Sequence, residues 1–360
     1  MERASFPLVD TVTHGLAGAL LGRAFAKESA GPVTAVCTFA AMFPDCDAFF
    51  LPGSWFSLHD TLGYLQYHRG VTHSFVLAPL FAAGIAGIAK IFARRAKALS
   101  LGLAALFGIV SHILFDWITS YGTTFFAPLS WRRYALDWTF ILDPVFSGIL
   151  VAALIAAALL RSRSRRVSAI GSLLLFGYIA FCGLVHRRAM AAARNLFPGA
   201  RVAALPQPFS PFRWALFADR EQEIDVAYVR LDGAPRGPST RLPAVPGEGF
   251  AGILETLRES YLPPGSAAVQ RFARNGLAPA FLAARTFPDV AAWLRFARFP
   301  VAAVESAGAR GTRLVLTDLR FQGPWRRPAF QFEVVVSADG REVASGFVRR
   351  FTSDRAAAPR

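Results

Sequence analysis

The sequence predicts a membrane α-helical bundle followed by a smaller α+β domain that is mainly antiparallel β. Three observations carry this expectation. Hydrophobic residues make up 54% of the chain and charged residues only 18%, a balance that does not suit one soluble domain. In the first half, long apolar runs alternate with short basic clusters at 94–97 and 161–166. In the second half the runs shorten, alternate apolar with polar, and are punctuated by Asp232-Gly233 and Asp339-Gly340. A chain of 360 residues has room for two domains. The division expected is a polytopic membrane domain over 1–190, a linker over 191–215 stiffened by Pro206, Pro208 and Pro211, and a β-rich domain over 216–360.

Taken in order, Thr11–Ala26 is small and apolar and ends before Lys27 and Glu28. Gly31 and Pro32 open a second apolar stretch, which ends at Pro44-Asp45-Cys46-Asp47. Each is shorter than the roughly 20 residues of a full span, so the two read as a helical pair, partly embedded or packed on other helices. Ala24-Phe25-Ala26 has the look of a signal-peptidase site, but Glu2, Asp10 and His14 do not suit a cleaved signal. Residues 48–67 are aromatic and turn-rich, with Pro52, Gly53, Trp55 and Tyr64, and suit an interfacial loop. Stronger spans are expected at 71–92, 99–119 and 140–160, and a further one at 167–185 leads into His186-Arg187-Arg188.

Basic residues collect in cytoplasmic loops, which gives an orientation. Arg94, Arg95 and Lys97 follow one span, and Arg161, Arg163, Arg165 and Arg166 follow another. With both loops cytoplasmic, 71–92 runs inward, 99–119 outward, 140–160 inward and 167–185 outward, leaving the C-terminal part extracytoplasmic. His68, His73, His112, Asp116 and Asp143 then share the outer face. His14, Asp45 and Asp47 join them if the first two helices run inward and outward in turn. The expected location is a membrane crossed several times, with the C-terminal domain extracytoplasmic.

In the C-terminal part, strands are expected at Glu223–Leu231, Thr312–Phe321, Phe330–Ser337 and Glu342–Phe351, with helical spacing at Gly249–Tyr261 and Pro288–Phe299. The net charge of +15 brings nucleic acid to mind, but much of the charge flanks apolar segments and no nucleic-acid-binding motif accompanies it. No nucleic acid is expected as a partner; membrane lipids are. The cysteines Cys37, Cys46 and Cys182 all lie in or beside the apolar half, so the C-terminal half has no disulfide framework.

The chemistry concentrates at His68-Arg69-Gly70-Val71-Thr72-His73-Ser74, immediately before an apolar run. Two histidines with a glycine between them fit a loop turning into a helix, with Thr72 or Ser74 available to cap it. His112 and Asp116 are four apart on an expected helix and project from one face. An aspartate inside a span costs on the order of 2.5–3.5 kcal/mol and therefore has a partner. Asp45 and Asp47 follow a helix-ending proline, an arrangement that turns one carboxylate inward and leaves the other behind it. Histidine with carboxylate suits zinc or manganese better than magnesium. The pool His14, Asp45, Asp47, His68, His73, His112 and Asp116 exceeds the needs of one catalytic zinc, so one or two ions are expected, zinc favoured and manganese possible. Arg69 either snorkels to headgroups or holds a substrate phosphate. Asp10 and Asp143 sit at helix starts and suit caps, His59 and His186 read as structural, and Trp131, Arg132, Arg133 and Trp138 as an interfacial belt.

Several of these pieces carry a resemblance. Asp10-Thr11-Val12-Thr13-His14-Gly15, Pro44-Asp45-Cys46-Asp47, the His68–Ser74 stretch, His112-Ile113-Leu114-Phe115-Asp116 with Thr119-Ser120-Tyr121-Gly122-Thr123, and Asp143-Pro144 resemble the YdjM-like metal-dependent hydrolases of the bacterial inner membrane. The likeness is dense over about residues 8–190 and loose beyond. It implies a membrane-embedded metal hydrolase. The His-x-x-x-Asp element is also distantly similar to one in zinc-dependent phospholipase C, which hints at phosphodiester chemistry by analogy.

The function expected is therefore a divalent-metal-dependent hydrolase acting on a phosphoester, of a lipid or lipid-linked substrate, at the outer face. Asp45 and Asp116 are the candidate catalytic carboxylates, and Arg69 the substrate-binding residue. Two other readings use the same residues: a transporter or metal-handling protein, and a non-catalytic membrane scaffold. A transporter needs polar groups at several depths, and the inner halves of 71–92 and 99–119 carry no acid or histidine.

Overall fold

The computed structural model describes residues 5–26, 30–50, 61–233, 260–308, 311–324 and 331–347. The N-terminal half is helical: α1 (Ser5–Phe25), α2 (Ala30–Met42), a 3-10 turn Phe43–Cys46 leading into α3 (Asp47–Phe50), and α4 (Thr61–Tyr67). A second 3-10 turn, Val71–His73, precedes α5 (Ala78–Phe92), α6 (Ala98–Trp117), α7 (Pro144–Leu159) and α8 (Ser164–Leu196). Two helical segments, Ala98–Trp117 and Arg161–Leu196, are long and apolar enough to cross a membrane. A third span results if the bent pair Leu62–His73 and Ala78–Phe92 is counted as one.

The expected span over 71–92 is not one helix. Val71–His73 is a 3-10 turn, Ser74 is extended, and the helix starts at Ala78, with the two segments of the bent pair at 73°. Pro79 suits the first turn of α5, where its missing N–H leaves no bond unmade. The expected caps fail with it. Thr72 Oγ1 donates to Asp47 Oδ2, and Ser74 Oγ donates to the Phe125 carbonyl while accepting from the Val76 N–H, short of the helix. Likewise 140–143 is not helical. Asp143 is the N-cap of α7, its Oδ1 accepting from the N–H groups of Val145 and Phe146. Of the expected loop at 48–67, residues 48–50 end α3 and 61–67 form α4, and the rest, with His59, lies outside the described residues. Helix α8 continues through Arg187 and Arg188 to Leu196. At ~1.5 Å per residue it reaches about 50 Å, well beyond a ~30 Å hydrocarbon layer.

Helix α6 is the centre of the bundle. One face joins a core with α2 and α5 around Cys37, Ala40, Ala82, Leu101, Ala105 and Ile109. The other side meets α1, α7 and α8 around Leu20, Leu21, Phe115, Phe146 and Leu175. Small residues allow the close crossings, as is usual where helices pack without a hydrophobic drive from water. A Cβ on Gly108 would lie 2.5 Å from the Cys37 carbonyl oxygen, and one on Gly18 2.8 Å from that same atom. Helix α2 is thus held against α1 and α6 at backbone distance.

The C-terminal region holds two four-stranded antiparallel sheets, ordered β1-β2-β3-β4 and β5-β6-β7-β8. The first comprises β1 (Arg201–Pro206), β2 (Arg213–Asp219), β3 (Glu223–Arg230) and β4 (Val269–Ala273). The second comprises β5 (Pro300–Ser306), β6 (Thr312–Asp318), β7 (Phe332–Val336) and β8 (Glu342–Phe347), with Leu314 facing Val304 and Val334 across the ladder. Helices Pro279–Ala284 and Pro288–Phe296 lie between the sheets in sequence; nearly all of the expected helix at Gly249–Tyr261 lies outside the described residues. Strand β1 falls inside the stretch expected to be linker. The chain divides into two compact units, Met1–Phe217 with Ala227–Thr240 and Tyr261–Ala268, and the remainder. Every candidate site residue belongs to the first.

Candidate metal centre

Four elements of the first unit bring their polar residues to one buried place. Helix α6 contributes His112 and Asp116, one turn apart and both under 2% exposed. The turn Phe43–Cys46 contributes Asp45, the turn Val71–His73 contributes His73, and α1 contributes His14. All are buried.

The protonation of the two central histidines follows from what holds their far nitrogens. His112 Nδ1 lies 2.6 Å from the Ala41 carbonyl oxygen, which only accepts, so Nδ1 carries the hydrogen. His73 Nδ1 lies 3.0 Å from Thr72 Oγ1 and 3.4 Å from Asp47 Oδ2. Thr72 donates to Asp47 at 2.9 Å, so its oxygen accepts from His73 Nδ1–H. Both Nε2 atoms therefore present lone pairs in the neutral rings, and they face one another at 3.1 Å. Two lone pairs at that distance repel unless a cation or a proton lies between them.

Two carboxylate oxygens complete the set. Asp45 Oδ1 is 3.6 Å from His73 Nε2 and 3.4 Å from His112 Nε2, and Asp116 Oδ2 is 3.2 Å and 3.5 Å from the same atoms. A tetrahedral ion with bonds of ~2.0–2.1 Å has ligand–ligand edges of about 3.3 Å. With the 3.1 Å between the two Nε2 atoms these are five of the six edges, and they bracket that value; the ligand atoms of Asp45, His73 and His112, and those of His14, His112 and Asp116, each lie within 4.8 Å of one another. Two imidazole nitrogens and two carboxylate oxygens could hold a metal ion.

Asp47 stands behind the centre. Its Oδ1 faces His68 Nδ1 at 2.8 Å, and its Oδ2 accepts from the Arg69 N–H at 3.1 Å and from Thr72. A carboxylate on the far nitrogen of a ligand histidine fixes the ring and raises its basicity. His68 stacks on Tyr64, meets the His73 ring edge-on, and turns its Nδ1 to Asp47. Burial pushes the Asp45 and Asp47 carboxyls up, but the histidines facing them outweigh it. His112 chiefly holds Asp45, and His68 with His73 holds Asp47, below the usual carboxylate range. Cys46 between them is pushed up to about 11, by burial first and then by both carboxylates.

Arg69 does not snorkel. Its side chain is buried, with Nη2 at 3.0 Å from Asp10 Oδ2 and 2.9 Å from Asp116 Oδ1, and Nη1 donating to Thr119 Oγ1. Asp10 thus pairs with Arg69 and with His14, whose Nε2 is 3.6 Å from Asp10 Oδ1. Its place within α1 rather than at the helix start excludes the capping role. The acid at position 10 was visible as a residue four before His14, the signal that could have placed it here. Arg133 is a second unexpected support. Its guanidinium donates to the carbonyls of Gly122, Leu65, Gln66 and His68, tying the loop after α6 to the end of α4.

The family model of the YdjM inner membrane proteins matches residues 9–189, half the chain, from α1 into α8. The chain belongs to the YdjM inner membrane protein family. Every residue of the centre lies inside the matched region. The uncharacterized protein YfhP of Bacillus subtilis is 29% identical over 153 residues, 40% of this chain and 45% of that protein. The chain thus spans about half the length of the curated relative it matches. No solved structure matches.

Proposed function

We propose that this family member is a membrane-embedded, divalent-metal-dependent hydrolase that acts on a phosphoester of a lipid or lipid-linked substrate at the outer face of the inner membrane. The observation that carries the metal part is the buried pair of Nε2 lone pairs at 3.1 Å, flanked by Asp45 Oδ1 and Asp116 Oδ2 at tetrahedral-edge distances. His73, His112, Asp45 and Asp116 would hold the ion, with His14 beside them. A divalent ion in such a setting supplies Lewis acidity toward a phosphoryl oxygen and makes water acidic enough to react at neutral pH.

The chain's own residues have distinct tasks in this reading. Asp47 and the Ala41 carbonyl fix the two rings. Asp10 and His14 border a cleft that Thr13, Thr119, Thr139 and Phe140 also line, and there a carboxylate outside the ligand set can accept a proton. Arg69 keeps a permanent positive charge beside the place where a phosphoryl oxygen would lie. The outer-face placement is supported by the basic loops at 94–97 and 161–166, which favour the cytoplasm and leave the centre and the C-terminal region on the opposite side. The lipid character of the substrate is supported by a centre built from apolar membrane helices.

The test is metal analysis of purified protein followed by a screen of phospholipids, lipid-linked phosphates and nucleotides. Zinc or manganese retained by the wild type, lost in His73→Ala and Asp116→Ala, with metal-dependent release of phosphate or headgroup, is the expected result. Metal retention without turnover across the panel overturns the hydrolase. Ion flux in liposomes would favour transport instead.

A further inference from the structure

Beside the four-atom centre lies a second group of potential ligand atoms. His14 Nε2 is 3.6 Å from Asp10 Oδ1 and 3.3 Å from Asp116 Oδ1. Asp116 would bridge the two positions, Oδ2 toward one and Oδ1 toward the other. That is the layout of a two-metal site, in which ions sit ~3.5–4 Å apart.

The second position already has a cation. Arg69 Nη2 lies within 3.0 Å of Asp10 Oδ2 and 2.9 Å of Asp116 Oδ1, the two carboxylates a second ion would need. Nη1 is held by Thr119 Oγ1 at 2.9 Å, and the guanidinium carbon lies 4.9 Å from the Tyr121 ring centroid. The main chain is fixed as well. Arg69 has φ 61°, its N–H donates to Asp47 Oδ2, and its carbonyl accepts from both the N–H and the hydroxyl of Thr124. A left-handed conformation is costly for a long side chain, and these bonds hold it. The guanidinium does not lose its proton in proteins, so this charge neither titrates nor exchanges. An ion arriving on the same oxygens would face it with like charge.

We propose that the Arg69 guanidinium takes the place of a second metal ion, so that each chain binds one divalent ion with Arg69 as its fixed cationic partner. This deepens the metal-hydrolase reading and rests on it. It assigns Arg69 as a positioning residue that orients Asp116 and Asp10, and it puts two positive centres, one exchangeable and one covalent, on the same bridging carboxylate. A phosphoryl group gaining negative charge would meet both.

The test uses full-length protein in detergent, dialysed to saturation against manganese or zinc. Bound metal is counted by mass spectrometry and manganese is followed by electron paramagnetic resonance. The wild type is expected to saturate at one ion per chain with the spectrum of an isolated ion. Arg69→Met, which keeps the length and removes the charge, is expected to take a second ion, with a spin-coupled manganese signal. Two ions or a coupled signal in the wild type overturns the proposal, and so does a folded Arg69→Met that stays at one. If the methionine variant does not fold, Arg69→Lys decides: one ion supports a resident cation, two overturn it. A wild type that binds no ion fails differently, because it removes the metal centre itself.

Discussion

Replacing Asp47 by asparagine separates a residue that orients a ligand from a residue that is one. The shape is kept and the charge is lost. Asp47 Oδ2 accepts from two groups, the Arg69 N–H and Thr72 Oγ1, and lies 3.4 Å from His73 Nδ1. Among the described residues Oδ1 meets His68 Nδ1, a ring that can shift its proton. The asparagine amide nitrogen therefore settles in the Oδ1 position, where His68 becomes its acceptor, and the carbonyl oxygen keeps the other bonds. The fold survives, but the negative charge behind His73 is gone and the ring becomes a poorer ligand. Loss of such an outer partner costs ~10–100-fold in metal affinity, about 1.4–2.7 kcal/mol. Competition with a chromophoric chelator measures it directly. Asp45→Asn, which takes the negative charge from a proposed ligand oxygen, should fall further than that range. Wild-type affinity in Asp47→Asn would refute the orienting role, and a loss as deep as that of Asp45→Asn would make Asp47 a ligand.

The remaining predictions concern the scaffold and the ion. Gly108→Ala places a methyl 2.5 Å from the Cys37 carbonyl oxygen, so α2 must move and the Ala41–His112 bond with it. Thermal unfolding should show a loss of about 1–3 kcal/mol together with weaker metal binding. Gly102→Ala on the same helix meets nothing within 4 Å and should leave metal binding unchanged and cost no stability. Asp143→Ala removes the cap of α7 and the acceptor of the Tyr178 hydroxyl, at about 0.5–2 kcal/mol for the cap. Its metal content should equal that of wild type, and a lost ion would place Asp143 in the site. An ion that binds the folded form at a hundred times its Kd adds about 2.7 kcal/mol, so chelation should lower the thermal midpoint and readdition restore it. An unchanged midpoint would mean that the folded state gains nothing from the ion.

Much of this was readable in the residues. The four-residue spacing of His112 and Asp116 foretold a shared face, whereas Asp47, counted with Asp45 among the expected ligands, stands behind the His73 ring. Strands β3, β6, β7 and β8 overlap the runs that alternate apolar with polar. What escaped did so for physical reasons. The partner of His112 is a main-chain carbonyl at Ala41, which no side-chain pattern marks. Arg69 turns inward because its backbone adopts a left-handed angle, and a charged residue at a loop reads as solvent-facing until that angle is known. Strand β2 is Arg213-Trp214-Ala215-Leu216-Phe217-Ala218-Asp219, buried at every interior position, so it shows no period of two. Strand β1 ends on Pro206, a residue that argues for a break. The apolar run at 71–92 looks continuous, because hydropathy does not record the turn that lifts His73 into the centre.

X-ray absorption at the zinc edge reads the ligands of the ion itself. The account predicts a first shell of nitrogen and oxygen only, at ~2.0–2.1 Å, with the outer scattering of two imidazole rings. That outer signal should be unchanged in Asp143→Ala, which keeps its ion. A sulfur contribution at ~2.3 Å, drawing on Cys37 or Cys46, or a shell without imidazole, would contradict it.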